Sequence, residues 1–191
     1  GCDSLTNINI PNSVTTIGDS AFGGCDSLTS ITIPSSEVTI IGNPFCVWHG
    51  ILNNESKAFI YEDHVLFNKN KTILIAYRAK GTSYTIPNSV TTIGWDAFSD
   101  CDSLTSITIP NSVTTIGDSA FAYCDSLTSI TIPNSVTTIG KGAFSGCNSL
   151  TDINIPNSVT TIEDGAFRGC ENLPSHIKSD IRQRFGEKVF K

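Results

Sequence analysis

The fold is decided by the stretch from Ser103 to Cys124, which reads SLTSITIPNSVTTIGDSAFAYC. The same text begins again at Asp125, and similar copies lie on either side. Prolines mark the period, because one stands every 23 residues within each run of copies: Pro11 and Pro34, then Pro87, Pro110, Pro133 and Pro156. A fixed period of about 20 to 50 residues is typical of a solenoid, in which each unit buries its apolar face against the next.

Each copy begins with the pattern of a strand. In Leu104-x-x-Ile107-x-Ile109 the isoleucines alternate with threonine, which is the period of a strand with one buried face. The following proline ends the strand because it has no N–H to donate. We expect six parallel strands, stacked about 4.8 Å apart, at residues 5–10, 28–33, 83–86, 104–109, 127–132 and 150–155.

The remainder of each copy has room for turns but not for a long helix. Val113 and Ile116 face inward again, Gly117 forms a corner, and a single helical turn holds Phe121. Parallel strands are joined by right-handed crossovers in nearly all proteins. The sequence therefore predicts a right-handed coil of short β-strands and single helical turns around one continuous core.

Composition and charge exclude some classes of function. Hydrophobic residues make up 39% of the chain, so a buried core is expected. The net charge of −6 argues against binding nucleic acid through its phosphates. No apolar run approaches the roughly 20 residues of a membrane helix, so we expect no direct membrane insertion. Lys and Arg are absent from 1–56 and 81–140 and concentrate in 57–80 and 168–191.

The repeat also resembles a known family. Leu-x-x-Ile-x-Ile-Pro followed by Val-x-x-Ile-Gly-x-x-Ala-Phe-x-x-Cys is similar to the BspA-like, or Treponema pallidum-type, leucine-rich repeats. The resemblance covers roughly residues 1–45 and 82–173. It implies a leucine-rich-repeat solenoid, α/β by convention, of bacterial and sometimes protozoan surface proteins that attach to host matrix proteins or to other cells. It does not imply an enzyme, and we expect no cofactor.

We expect a single domain, 1–191, whose repeats are interrupted once. Pro34 and Pro87 are 53 residues apart, which is one 23-residue period plus 30 residues. Within this stretch residues 59–61, 64–67 and 72–77 are predicted strands, so a β-hairpin insertion is expected at about 46–81. It is similar to an insert of the same family, although His64 and Arg78 depart from the usual residues.

A C-terminal cap is expected at about 174–191. Ile177, Ile181 and Phe185 are four residues apart and lie on one face of a predicted helix, 175–185, with Ser175 as its N-cap and Gly186 as its stop. This helix would cover the last repeat. No similar cap precedes Gly1, so we expect an open first repeat and a fragment without its own signal or anchor.

Cysteines and acidic residues invite a metal interpretation. Six of the seven cysteines share one repeat position and are predicted to be free, buried thiols: Cys2, Cys25, Cys101, Cys124, Cys147 and Cys170. Cys46 and His49 lack the further ligands of a zinc site. The stacked aspartates Asp3, Asp26, Asp102 and Asp125 suggest either a calcium site or Asx turns with solvated carboxylates, and we favour the turns.

No catalytic pattern is present, since neither a Ser-His-Asp order nor a Gly-rich phosphate loop occurs. The outward strand positions are polar and small, and solenoids often bind partners on such extended faces. The predicted partner-binding residues are Asn7, Asn9, Ser30, Thr32, Ser106, Thr108, Ser129, Thr131, Asp152 and Asn154 on this face, and Trp48, Tyr61 and Tyr77 in the insertion.

The function expected from these features is non-enzymatic. We expect a cell-surface or secreted module for protein–protein interaction or adhesion, whose partner is a host extracellular-matrix protein or another cell-surface protein. In this interpretation the insertion supplies specificity. The alternative is a structural spacer within a larger surface protein, which the near-identity of the repeats and their bland polar faces favour.

Overall fold

A computed structural model describes residues 2–191 as a solenoid of short β-strands that ends in a helix. The strands are β1 (Thr16–Ile17), β2 (Ser30–Ile33), β3 (Thr39–Ile40), β4 (Ile51–Asn54), β5 (Phe59–Glu62), β6 (Val65–Asn68), β7 (Ile73–Tyr77), β8 (Ser83–Thr85), β9 (Thr92–Ile93), β10 (Ser106–Thr108), β11 (Thr115–Ile116), β12 (Ser129–Thr131), β13 (Thr138–Ile139), β14 (Asp152–Asn154) and β15 (Thr161–Ile162). Helix α1 (Ser175–Phe185) and a 3₁₀ helix, Glu187–Phe190, follow. No helix among these described residues is both long and apolar enough to cross a membrane.

The predicted strand positions form one side of the solenoid, in three parallel pairs: β2 with β4, β8 with β10, and β12 with β14. The expected strand at 5–10 does not form, and its apolar side chains Leu5, Ile8 and Ile10 are only half-buried. This side of the solenoid gains a different strand, β4, which pairs with β2 so that Leu52 lies opposite Ile31. The prediction of a parallel-stranded solenoid is confirmed, with this difference in its first strands.

A second side carries the longest sheet, which the strand pattern did not predict. The Thr-Ile pair after each proline turn forms a strand of only two residues. From β9 onward these strands join β5, β6 and β7 in the order β15-β13-β11-β9-β7-β6-β5, whereas β1 and β3 pair only with each other. The backbone N–H of Thr114 donates to Thr91 O at 2.9 Å, and that of Gly117 donates to Ile93 O at 2.9 Å. We expected inward-facing turns here, but parallel stacking also pairs their backbones.

The third side consists of turns. The N–H of Ala122 donates to Ser119 O at 2.9 Å, which closes a turn, while the N–H of Phe121 donates to Ala143 O of the next repeat at 2.8 Å. The phenylalanine rings inside these turns stack, with centroids 5.0 Å apart for Phe98–Phe121 and 5.4 Å for Phe121–Phe144. All three sides therefore contribute backbone hydrogen bonds between repeats, although the strand side does so only within its three pairs.

The core contains the residues that the repeat predicts. In the central copy all eight apolar positions are buried: Leu104, Ile107, Ile109, Val113, Ile116, Ala120, Phe121 and Cys124. Each copy supplies a thin layer that has apolar neighbours above and below. Burial of an aliphatic or aromatic side chain contributes about 1.5–3 kcal/mol, so stacking of the copies is what stabilises the coil.

The insertion predicted at 46–81 requires correction, because most of it belongs to the solenoid. β4 continues the parallel strand pairs, and β7 runs parallel to β9 with Ile73 opposite Thr92. Tyr77 takes the place of the repeat phenylalanine, since its ring stacks on Phe98 at 5.0 Å and its N–H donates to Ala97 O. Only the antiparallel hairpin β5–β6 is added, within an otherwise complete turn of the coil.

The added hairpin divides the apolar core. In β6 the side chains of Val65 and Phe67 join a large cluster that extends to the C-terminus. Leu66 points the opposite way and joins a smaller cluster around Phe22 and Phe45. Alternation of side chains along a strand allows one strand to serve both clusters. The sheet β5–β6–β7 therefore forms a wall inside the solenoid and does not project from it.

The predicted capping helix is confirmed at Ser175–Phe185, with Ile181 buried. Ser175 is not its N-cap, because Pro174 holds that position in an extended conformation. Gly186 ends the helix with φ 85°, and the 3₁₀ helix behind it completes the last layer. There the carbonyls of Lys188 and Val189 accept hydrogen bonds from the preceding repeat, as a further repeat would.

Candidate functional site

The polar strand face is the outward side of the strand pairs. Because Ile107 and Ile130 point into the core, the residues on either side of them point outward. Register aligns these residues in rows, with Ser129 opposite Asp152 and Thr131 opposite Asn154. Nearly all are exposed: Asn7, Asn9, Ser30, Ser83, Thr85, Ser106, Thr108, Ser129, Thr131, Asp152 and Asn154, with Thr32 half-buried.

This face has a shallow hollow and almost no charge. Thr108, Thr131 and Asn154 lie side by side in its floor, and Asn111 and Asn134 of the proline turns form its rim; the volume is about 460 Å³. Asp152 is the sole ionisable group among the outward strand residues named above. The hydroxyls and amides supply hydrogen-bond donors and acceptors. Such a surface suits another protein's polar groups and supplies no acid, base or nucleophile with an activating partner.

The aromatic residues predicted for partner binding require correction. Trp48 is 3% exposed and its Nε1–H donates to Leu28 O at 2.8 Å, so it belongs to the smaller cluster. Tyr77 is 6% exposed and stands in the stack with Phe98. Tyr61 is half-buried on β5. Two of the three aromatic side chains therefore contribute to folding, because Trp48, in the loop before β4, and Tyr77, on β7, are both buried.

Arg78 is a structural residue whose role the sequence did not reveal. Its guanidinium donates to Trp48 O at 2.9 Å and to Gly50 O at 2.8 Å, and it lies 4.5 Å from the centroid of the Trp48 ring. Burial lowers the pKa of Arg78, and neighbouring Tyr61 opposes that effect. The side chain thus fastens the loop before β4 to the segment after β7. A single arginine in a predicted turn carries no signal for such a contact.

The cysteines are free, and most are buried as predicted. In the stack the Cys124, Cys147 and Cys170 thiols each lie 3.0 Å from a carbonyl oxygen of the preceding repeat. Cys101 is half-buried, and Cys2 is exposed. Burial raises the pKa of Cys46 and of Cys101 to about 12. A thiol with so high a pKa is protonated at neutral pH and is a weak nucleophile or metal ligand.

Asp96 is the most perturbed carboxyl group. Burial, and next the nearby carboxylate of Asp19, raise the pKa of Asp96 to about 7, with smaller contributions from Asp100 and Asp118. Asn43 lies between the two, since its backbone N–H donates to Asp19 Oδ1 at 2.8 Å and its Nδ2 donates to Asp96 O at 2.9 Å. Asn43 is hydrogen-bonded to both residues, so we interpret the cluster as structural.

No metal centre is found in residues 2–191, where no three His, Cys, Asp or Glu side chains are grouped to hold an ion. The stacked aspartates Asp3, Asp26, Asp102 and Asp125 are all exposed. Asp125 accepts a hydrogen bond from Asn148 Nδ2 of the next repeat at 3.0 Å. This contact joins the side chains of two adjacent repeats and is not an Asx turn; the exposure of the four aspartates agrees with solvated carboxylates.

Comparison with solved structures finds the same architecture in bacterial proteins. A leucine-rich repeat protein from Eubacterium ventriosum is 36% identical with a TM-score of 0.77, over 86% of this chain and 45% of that one. A leucine rich cell surface protein from Faecalibacterium prausnitzii is 32% identical with a TM-score of 0.64, over 97% and 58%. The T. pallidum leucine rich repeat protein is 30% identical with a TM-score of 0.55, over 94% and 80%.

The chain spans about half the length of the first two of these proteins. No curated protein sequence matches the chain. The family profile described as the BspA type leucine rich repeat region matches six copies, over residues 1–49 and 76–191. The matched residues include the buried isoleucines, the stacked phenylalanines and the cysteine row described above. The chain therefore belongs to the BspA-type leucine-rich repeat family.

Proposed function

We propose that the chain is a non-enzymatic protein-interaction module of a cell-surface or secreted bacterial protein, and that its polar strand face binds the partner. The observation that carries this proposal is the alignment of exposed Ser, Thr, Asn and Asp side chains in parallel register. The partner we propose is a protein of the host extracellular matrix or of another cell surface. A related solenoid from F. prausnitzii is described as a cell surface protein, which supports the location.

Rigidity is the physical advantage of this face. From Ser30 onward each outward residue lies on a strand whose inward side chains pack in the core, so its position changes little on binding. Binding to an ordered surface avoids the entropy cost of ordering loops. The face lacks Trp, Tyr and Arg, which dominate most binding energies. We therefore propose a partner that contacts several repeats at once, with small contributions from each.

The test places bulky charges on the face without disturbing the core. The double variant Thr108→Arg/Thr131→Arg should lose binding to immobilised matrix proteins, because two exposed threonines of adjacent repeats are replaced. The matched control is Thr114→Arg/Thr137→Arg, which changes exposed threonines of the same repeats on the long sheet. Surface plasmon resonance measures binding, and thermal melting verifies that both variants remain folded.

The control variant should bind as the wild type does. Equal loss in both variants, or wild-type protein that binds neither matrix proteins nor intact cells, contradicts the proposal. Removing residues 49–80 is unsuitable as a test, because it deletes all of β4 to β7, including the buried residues of β6 and β7, and would unfold the coil.

A structural spacer is the second candidate. The nearly uncharged, aromatic-free strand face is the observation that favours it. A spacer needs length and stiffness but no recognition, so the Thr108→Arg/Thr131→Arg variant would leave attachment of the full-length protein unchanged. Shortening the coil by one whole repeat, residues 111–133, would reduce attachment if the spacer function holds.

A further inference from the structure

An apolar groove opens between β3 and the wall strands, away from the polar strand face. It is lined on one side by Ile40 and Ile41 and on the other by Phe59, Ile73 and Trp95, and its volume is about 450 Å³. Ile41 is 47% exposed, Ile73 39% and Trp95 50%, which makes them three of the most exposed large apolar side chains in residues 2–191. Clustered apolar exposure of this kind marks interaction sites.

The groove exists because the added hairpin interrupts the long sheet. In the middle of the long sheet each two-residue strand has a parallel neighbour on both edges; β11, for example, lies between β9 and β13. Among the described strands β3 pairs with β1 alone, because β7 is paired with β9 on one edge and with β6 on the other. One edge of β3 is therefore without a strand partner.

The free edge of β3 presents backbone groups to the groove. The N–H of Thr39 donates to Thr15 O at 2.9 Å, and that of Ile41 donates to Ile17 O at 3.0 Å. Successive residues of a strand point their N–H and C=O groups to opposite edges. Val38 and Ile40 thus direct theirs toward the groove, on the edge of β3 that lies away from β1.

The chemistry of the groove selects its occupant. Its lining contains no charged side chain, so an apolar, uncharged segment is favoured over a charged one. A segment in extended conformation can form hydrogen bonds with the backbone groups of Val38 and Ile40. It also places alternate side chains against Ile73 and Trp95, as in β-strand addition. We propose that an extended, uncharged peptide segment of a partner protein pairs with β3 in this groove.

This site is separate from the polar strand face, so it goes beyond the proposed function. The repeat itself supplies a probe, the capped peptide of residues 111–117, NSVTTIG, which is uncharged and lies beside a strand equivalent to β3 in the intact chain. Calorimetry of the whole chain with this peptide should show saturable binding. Amide chemical shifts of Val38 and Ile40 should move on titration.

Two sets of variants test the geometry. Ile41→Ser and Trp95→Ser should each weaken binding about tenfold, since each removes an exposed apolar contact. The matched controls Val47→Ser and Tyr123→Ser change residues that are 46% and 50% exposed but lie outside the groove, and they should leave binding unchanged. A peptide N-methylated at the positions of Thr114 and Gly117 should not bind, because these amides donate to Thr91 and Ile93 in the intact chain.

Several results overturn the proposal. Absence of peptide binding, unchanged affinity of the N-methylated peptide, or equal losses in the control variants each does so. Self-association that Trp95→Ser abolishes would assign the groove to a second copy of the chain instead. Because the matrix-binding test changes only the outward threonines, either proposal can fail while the other holds.

Discussion

Asp96 links the stability of the protein to pH. Burial and the carboxylate of Asp19 keep its proton bound up to a pH of about 7, whereas in the unfolded chain an aspartate loses it near its ordinary value of 3.8. Between these values the folded chain binds more protons than the unfolded chain. By linkage, the contribution of this group to the free energy of unfolding falls as the pH rises through that interval.

We therefore predict that Asp96→Asn stabilises the protein at pH 8 and flattens the dependence of its melting temperature on pH between 4 and 7. The amide cannot ionise, so the cost of a buried charge disappears. Calorimetric melting at several pH values measures both effects. Asp102→Asn, at an exposed position, is the control, and an identical change in its pH profile would contradict the role of Asp96.

Arg78 gives a second prediction at the level of one side chain. Arg78→Lys should lower the free energy of unfolding by about 2 kcal/mol, because an ammonium group cannot bind two carbonyls in a fork and stack on an indole. Denaturant unfolding measures the loss, with the exposed Arg168→Lys as the control. Equal stability of both variants would show that the contacts of Arg78 with Trp48 O and Gly50 O contribute little.

The C-terminal cap shows how an element can imitate a repeat. Phe190 of the 3₁₀ helix stacks on Phe167 with ring centroids 5.9 Å apart, which extends the phenylalanine row by one position. Arg184 of α1 donates to Ile155 O and Pro156 O at 2.9 Å, which satisfies carbonyls of the last strand turn. The cap thus provides both the apolar and the polar contacts of a missing neighbour.

Gly186 is the joint that allows this arrangement. Its φ of 85° with ψ of 174° lies in a region that essentially only glycine occupies. A Cβ at this position meets no atom within 4 Å, so the cost of Gly186→Ala is backbone strain alone. We predict a loss of about 1–3 kcal/mol and faster proteolysis after α1, measured by thermal melting and limited digestion. Unchanged melting and digestion would show that the backbone relaxes without disturbing the cap.

At the scale of the whole molecule, the two apolar clusters share one wall. β6 supplies Leu66 to the smaller cluster and Phe67 to the larger. Likewise, β7 supplies Ile75 to the smaller cluster and Leu74 to the larger. Neither cluster keeps its buried surface if this wall is lost. Solenoid stability is a sum of repeats and their interfaces, so strong interfaces make unfolding cooperative.

We propose that the chain is a single folding unit and predict one unfolding transition. In a Trp95→Phe background, Trp48 fluorescence reports the smaller cluster, and hydrogen exchange of the β11 and β13 amides reports the larger; both should give the same midpoint in denaturant. Leu66→Ala should lower both midpoints together, although the residue contacts only the smaller cluster. Separate midpoints would show that the wall does not couple the clusters.

The sequence alone determined the repeating parts of this protein. The 23-residue period, the inward isoleucines and the capping helix follow from local pattern, because each repeat meets the same neighbours and a periodic rule applies to all. The outward face is equally predictable, since a strand with a buried side must expose the other. Its role in binding remains a prediction.

Tertiary structure decided everything that depends on the one interruption. That β4 and β7 complete a turn of the coil, that Trp48 and Tyr77 are buried, and that Arg78 fastens one loop to another all depend on which segments meet in space. The groove beside β3 has the same origin. Where the period breaks, identical local patterns can face inward or outward, and only the packing of distant segments against each other selects between them.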